Sequence, residues 1–439
     1  MTDKFWVGGS GNTNDTAHWS LTSGGTGGAA APGSGDDIFF DGNSDGGGGN
    51  YTVTVNATFT MRNFTTTAPS SGNMTLAGAS AINCHGSLSW YSGMVRSYTG
   101  AWTFTGTTGA SNTIEVNGLA LTTNTILFNT NNKSYTIVGT YSIINNFRVW
   151  GGGGNFPVVN FGTSTVTLSS SGNIDVNAAT LNFNSATINA TSATALIHED
   201  FATTNFGSSI WTAVQIQRVG SNSSFCNMNL GSAQITLSHA NSPWVVNPGT
   251  FASFVAGTSL IKLTGNSGGA KNFGNGSGGT YYDVWNATTG TGEMQYVGTN
   301  TFHVLKINPG QSNGFDTSST QTMDNLDAVG TSGNLITLRN DGGGSNNWNL
   351  VFTGAVDPIC CDYLSVQRCQ ASGATFNAGS NSTDAGNNSG VNFVSCSEST
   401  GGRFGMLTGG KMRSSVGLHS GGQLISWLVG FITALFGVS

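Results

Sequence analysis

Apolar and polar residues alternate with a period of two along most of this chain, in pieces too short to be helices. In the stretch from Ile174 to Leu196, IDVNAATLNFNSATINATSATAL, the pairs Ile174 and Val176, Leu181 and Phe183, and Ala186 and Ile188 alternate with Asp, Asn, Ser and Thr. One face of each piece is therefore apolar, the mark of a strand. Only one to three small residues separate the pieces, too few for a helical crossover, and no Asn-Gly hairpin signal lies between them. Very short strands joined by such tight bends predict a chain that turns corners about one axis. That is a β-solenoid, whose turns bury their inner faces only by stacking on one another.

The pattern begins at Tyr51 with YTVTVNATFTM and continues through AWTFTG, YTIVGTYSII, STVTLSS, WTAVQIQRV, GTSLIKLTG and FHVLKINPG, with Gly, Asn, Ser and Thr between the pieces. The predicted fold is all-β, a right-handed parallel β-helix over residues 51–394, the hand taken from the usual chirality of parallel crossovers. At roughly 20 to 30 residues per turn it would hold on the order of a dozen turns. Stacked at ~4.8 Å, these make a stem roughly 60 Å long. Asn177, Asn182, Asn184 and Asn189 fall between or beside strands, where Asn tolerates left-handed backbone and can ladder from turn to turn.

Both ends break the pattern. Residues 1–50 carry Trp6 and Trp19 among turn residues, which predicts a cap over the first turn or, alternatively, an attachment or ligand surface. Residues 395–422 are a Gly/Ser-rich linker, and 423–439 form a predicted short helix with Leu424, Ile425, Trp427, Leu428, Phe431, Ile432, Leu435 and Phe436 as its apolar surface. Ser426, Gly430 and Thr433 give that helix a stripe of small residues that lets another helix approach. Its apolar run, roughly 20 Å as a helix, falls short of the ~30 Å core of a bilayer. The predicted destination is a neighbouring subunit or protein shell, with a membrane as the second choice.

Composition sharpens this picture. Charged residues are 8% of the chain, against roughly 25% in an average soluble protein, so the surface must be polar without being charged. Lys and Arg total 14 against 20 acids, with no basic run, which argues against a nucleic-acid partner. The start lacks a basic segment followed by an apolar run, so folding in a cytosol is expected. The six cysteines show no CxxC spacing and are read as buried thiols rather than disulfides or a metal site. No cofactor or metal is expected, since phosphate-loop, zinc, Ser/His/Asp and EF-hand patterns are all missing.

Candidate chemistry is sparse. Glycoside hydrolysis wants two carboxylates about 5 to 10 Å apart. His198-Glu199-Asp200 is the densest ionisable cluster, and Glu115, Asp175, Asp283 and Glu293 lie singly in or beside strands. The cluster reads more simply as a charged corner loop, and the chain as no enzyme. For sugar stacking the candidates are Trp90, Tyr91 and Trp150, then Trp211, Trp244, Tyr281 and Tyr282, each weighed against packing inside the solenoid.

From Thr301 on, LKINPG at Leu305–Gly310, GNLITLR at Gly333–Arg339, DYLSV at Asp362–Val366 and NSTDAGNNSGVNF at Asn381–Phe393 resemble the closing turns of Gly/Asn/Thr-rich parallel β-helix proteins. The opening WVGGSGN, HWS and PGSGDDIFFD is similar to the start of the same group. Such proteins are encoded by tailed phages and prophages, usually as virion appendages or tail proteins, and some bacterial surface proteins share the pattern. The resemblance implies a non-enzymatic fibre, spike or head or tail decoration, assembled in the host cytoplasm into the virion. It also implies a homotrimer, contacts with other virion proteins and adhesion to host-surface glycan. The alternatives are a polysaccharide-degrading tailspike and a bacterial surface adhesin.

Overall fold

The computed structural model describes residues 1–396 apart from 107–110, 130–132, 152–155, 170–171, 221–224, 275, 277 and 318. The predicted linker from 397 on and the anchoring helix at 423–439, with Leu424, Ile425, Trp427, Leu428, Phe431, Ile432, Leu435 and Phe436, lie outside the described residues.

Residues Met1–Cys396 form one compact unit, a parallel β-solenoid of about 13 turns. Through the middle of the solenoid each turn lays down one strand on each of three faces. In one turn Thr180–Asn182 lies on the first face, the start of Thr187–His198 on the second, and the end of that strand on the third. Successive turns pair in parallel, Val166 beside Ile188, Ile188 beside Trp211, Trp211 beside Ile235 and Ile235 beside Ile261. From Val166 to Leu305 the turns take about 21 to 26 residues, and nearer the end of the chain they range from 29 down to 15. Among the strand pairs described, one is antiparallel: Asp3–Trp6 meets Trp19–Ser20 at the start of the chain.

The period-two reading holds residue by residue. Ile174, Val176, Leu181, Phe183, Ala186 and Ile188 are all fully buried, and the polar residues between them face outward or line the corners. Inside, aromatic rings stack from turn to turn: Phe104, Phe128, Phe147, Phe161, Phe183 and Phe206 follow one another at centroid distances of 4.6 to 5.7 Å. Ring stacking fits a repeat in which every turn offers its neighbour the same inner position.

Corners are set by backbone. Asn184, Gly207, Gly231 and Gly257 occupy equivalent bends with φ of 52°, 63°, 58° and 61°. A Cβ on Gly207 would lie 2.4 Å from the carbonyl oxygen of Asn184, and one on Gly231 the same distance from that of Gly207. Left-handed backbone and close stacking thus select glycine together. Asn does ladder outside the first face: Asn182 donates to Asn160 and Asn205 donates to Asn182, both at 2.8 Å.

Residues 1–50 share the pairing of the turns that follow. Asp3, Lys4 and Phe5 pair with Asp37, Ile38 and Phe39, while Gly11 and Asn12 pair with Val53 and Thr54. At the other end, one cysteine expectation needs correction. Cys360 and Cys396 form a disulfide, with Cα atoms 5.8 Å apart. Cys360 pairs with Asn377 and Asn377 with Asn392, so the stacking of the last turns returns the chain to Cys360 a few residues later. Neither cysteine spacing nor composition carries that information. Cys84, Cys361 and Cys369 are buried thiols, as the sequence suggests.

Candidate functional site

Outward positions of the third face bring Asp175, Glu199 and Trp150 together. Strand Asn173–Asn177 turns Ile174 and Val176 inward, which leaves Asp175 facing out. On the preceding turn Arg148 pairs with Asp175 and Trp150 with Asn177; on the following turn Val176 pairs with His198. Glu199, one step beyond, receives a hydrogen bond from the Asn177 side-chain amide. The Arg148 guanidinium lies 3.4 Å from the Asp175 carboxylate and 5.0 Å from the centre of the Trp150 ring.

Asp175 is nearly enclosed. Burial, and next the Glu199 carboxylate, push its pKa up to about 6, while hydrogen bonding from Trp150 and the charge of Arg148 act the other way. It can therefore hold a proton well above the usual carboxylate range. Chemically the group is an acid with a neighbouring carboxylate and a cation, covered by the Arg148 and Trp150 side chains. Sequence reasoning named Asp175 and Glu199 separately; stacking, not spacing, pairs them.

His198, Asp283 and Glu293 lie elsewhere. His198 points inward, wholly buried, with Nδ1 2.9 Å from the Thr204 hydroxyl; burial, and then the charge of Arg218, push its pKa down to about 3. The tripeptide His198-Glu199-Asp200 is thus divided between inside and outside and is not one cluster. Asp283 holds His303 Nδ1 at 2.8 Å, and Glu293 is bound by Arg339 at 2.5 Å. Among the described residues no group of three or more His, Cys, Asp or Glu is placed to hold a metal ion, and no helix is long and apolar enough to cross a membrane.

The aromatic candidates separate by side of the wall, and three of them require correction. Trp6, Trp19 and Trp90 are core residues rather than binding residues. Trp6 packs edge-on against Trp19 at 5.1 Å, and their indole N–H groups donate to the carbonyls of Gly9 and Thr13. Trp90 packs against Trp102. Tyr91 is half-buried, its hydroxyl accepting from the Met74 amide at 2.9 Å. Trp150 alone of the five presents a ring with substantial exposure, 38%. Trp211, Trp244 and Tyr281 are buried, whereas Tyr282 is partly exposed.

Sequence reasoning missed an outer column on the second face. Lys262, Trp285, Lys306 and Asp327 stand in register on successive turns. The Lys262 ammonium lies 4.0 Å from the Trp285 ring centre, that of Lys306 5.4 Å, and Lys306 pairs with Asp327 at 2.5 Å. Recurrence of a charged or aromatic residue about once per turn is the signal that could have found it.

The fold defines the class of the protein as a parallel β-solenoid with a packed interior and charged and aromatic side chains in register on parts of its outer wall. No family description, curated protein or solved structure matches the chain.

Proposed function

We propose that the protein is a non-enzymatic structural component of a virion, a fibre, spike or head or tail decoration, that presents a rigid β-solenoid for adhesion to host-surface glycan. The observation that carries this reading is the unbroken stack of about 13 turns, filled inside by ring and aliphatic columns and outside mostly polar and uncharged. Such a body is stiff because every turn is hydrogen-bonded to its neighbours, and it suits display at a distance from an anchoring point. The resemblance of the opening and closing blocks to phage appendage proteins supplies the setting. In this reading the helix is right-handed and copies pack as a homotrimer. Trp6, Trp19 and Phe40 cover the open end of the first turn, and the segment 423–439 tethers the chain to another virion protein.

The second reading, a polysaccharide-degrading tailspike, is favoured by one observation, the raised pKa of Asp175 beside Glu199. Incubation of purified protein with host capsule or lipopolysaccharide distinguishes the two. We expect the polysaccharide to be bound and recovered intact. Release of reducing ends or of unsaturated sugars, abolished in Asp175→Asn, would replace the adhesive reading with the enzymatic one.

A further inference from the structure

A groove of about 440 Å³ opens where the first face meets the second, between the turns that carry Val255 and Asp324. Its origin lies in the glycine column. The preceding turn passes this corner as Ala256-Gly257, and Gly257 must stay bare because a Cβ there would lie 2.0 Å from the Gly231 carbonyl oxygen. One turn later the wall rises again with Tyr282, and then with His303. The two rings stack with centroids 4.1 Å apart and planes within 11°. Asp283 fixes the imidazole by its contact with Nδ1, so Nε2 is the ring nitrogen left to meet a ligand. Asp324 completes the rim; one of its carboxylate oxygens accepts from the Thr353 hydroxyl at 3.0 Å and the other can accept from a bound molecule.

We propose that this groove binds a neutral pyranose unit of a polysaccharide, with the Tyr282–His303 pair as its platform and Asp324 as acceptor for its hydroxyls. The proposal rests on the adhesive reading above and locates its binding site. Three features select the ligand. The lining is amphipathic, with Val255 and the Tyr282 ring beside the Thr280 hydroxyl and the Asp324 carboxylate, and a pyranose has an apolar C–H face and a hydroxyl rim to match. No Lys or Arg lines the groove, and the Asp324 carboxylate does, with the Asp283 carboxylate held against His303 Nδ1, so uronic acids, sialic acids and phosphates meet repulsion. The volume suits one or two sugar rings, within the roughly 300–1,000 Å³ of small-ligand sites.

The test is calorimetric titration of the full chain with neutral gluco-, galacto- and N-acetylhexosamine oligosaccharides and, separately, with uronic-acid oligomers. We expect binding to at least one neutral series, weakened about tenfold or more in Tyr282→Ala and in Asp324→Asn, as for an anchoring contact. Asp324→Asn keeps the test open if Tyr282→Ala fails to fold. Binding confined to the uronic-acid oligomers, binding of no oligomer, or neutral binding that both groove variants leave intact would overturn the groove assignment. Whole host cells titrated with the same protein separate this from the broader reading. Cell binding without groove dependence leaves adhesion standing at another site, and no cell binding removes adhesion itself.

Discussion

At the scale of single residues, position relative to the wall decides what each side chain can do. Asp175 shows this through pH. Its folded-state pKa, about 6, lies above the unfolded value near 3.8, so the folded state holds an extra proton between those limits. Its contribution to stability is therefore greatest below about pH 4 and falls as pH rises towards 6. Asp175→Asn removes that titration, and we expect the melting temperature of the variant relative to wild type to rise between pH 4 and 6.5 and to level off above. A difference that stays constant across the range would show that Asp175 is not raised. Glycines make a second prediction. Gly231→Ala forces a Cβ into the stacked Gly207 carbonyl at a left-handed φ, whereas Gly47, also at positive φ, has open space around it. We expect the first substitution to cost about 2 kcal/mol or more and the second about 1 kcal/mol, read by denaturant unfolding. Equal costs would mean that the corner column is not close-packed. Much of this scale was legible in the sequence through parity. Trp90 is two residues from Leu88 and shares its inward side, while Trp150 is two from Arg148 and shares its outward side. Adjacent pairs such as Trp90-Tyr91 and Tyr281-Tyr282 must therefore split between core and surface, as they do. Asp175 and Glu199 were visible only as separate acids, because their approach depends on how many residues one turn consumes.

At the scale of the element, the unit is the column rather than the strand. Strands of three to five residues have little stability alone, and each is held by the turns above and below it. Trp211 fills the second-face column between Ile188 and Ile235 and packs edge-on against Phe183 at 4.7 Å. Its truncation to Ala should cost about 3–5 kcal/mol, as for large core side chains, while the outward Trp150→Ala should cost under about 1 kcal/mol. Thermal melts of the two variants side by side check the division of the aromatics; comparable losses would contradict it. Polar columns also run through the interior. Asn286 donates to Asn313 at 2.8 Å, Tyr296 donates to the same Asn313 oxygen, and Asn300 donates to Gln321 on the next turn. Asn313→Leu strands the Asn286 amide and the Tyr296 hydroxyl in a buried position, and we expect a loss of about 2–4 kcal/mol, against under about 1 kcal/mol for Asn182→Ala in the outer ladder. Such columns escape a sequence reading for a definite reason. Turn length drifts by several residues, so members of one column do not recur at a fixed interval, and Asn inside the wall looks the same in sequence as Asn at a corner.

At the largest scale, the about 13 turns of residues Met1–Cys396 at ~4.8 Å make a stem roughly 60 Å long, stiff along its axis and sparsely charged. The class of fold was open to sequence reasoning because strand length, bend length and inner-face parity all pointed to one winding. The disulfide between Cys360 and Cys396 was not, since only the stacking of the last turns brings those residues together. Function is tied to the setting in which such a stem is displayed, and the setting we propose is a virion. The most direct measurement is quantitative mass spectrometry of purified particles induced from a strain that carries the gene, with the capsid protein as the internal standard. A trimeric virion protein will be found in particles at a fixed multiple of three copies, retained through density-gradient purification. Its absence from particles that are otherwise complete, with the protein recovered from the cell envelope instead, would contradict that setting.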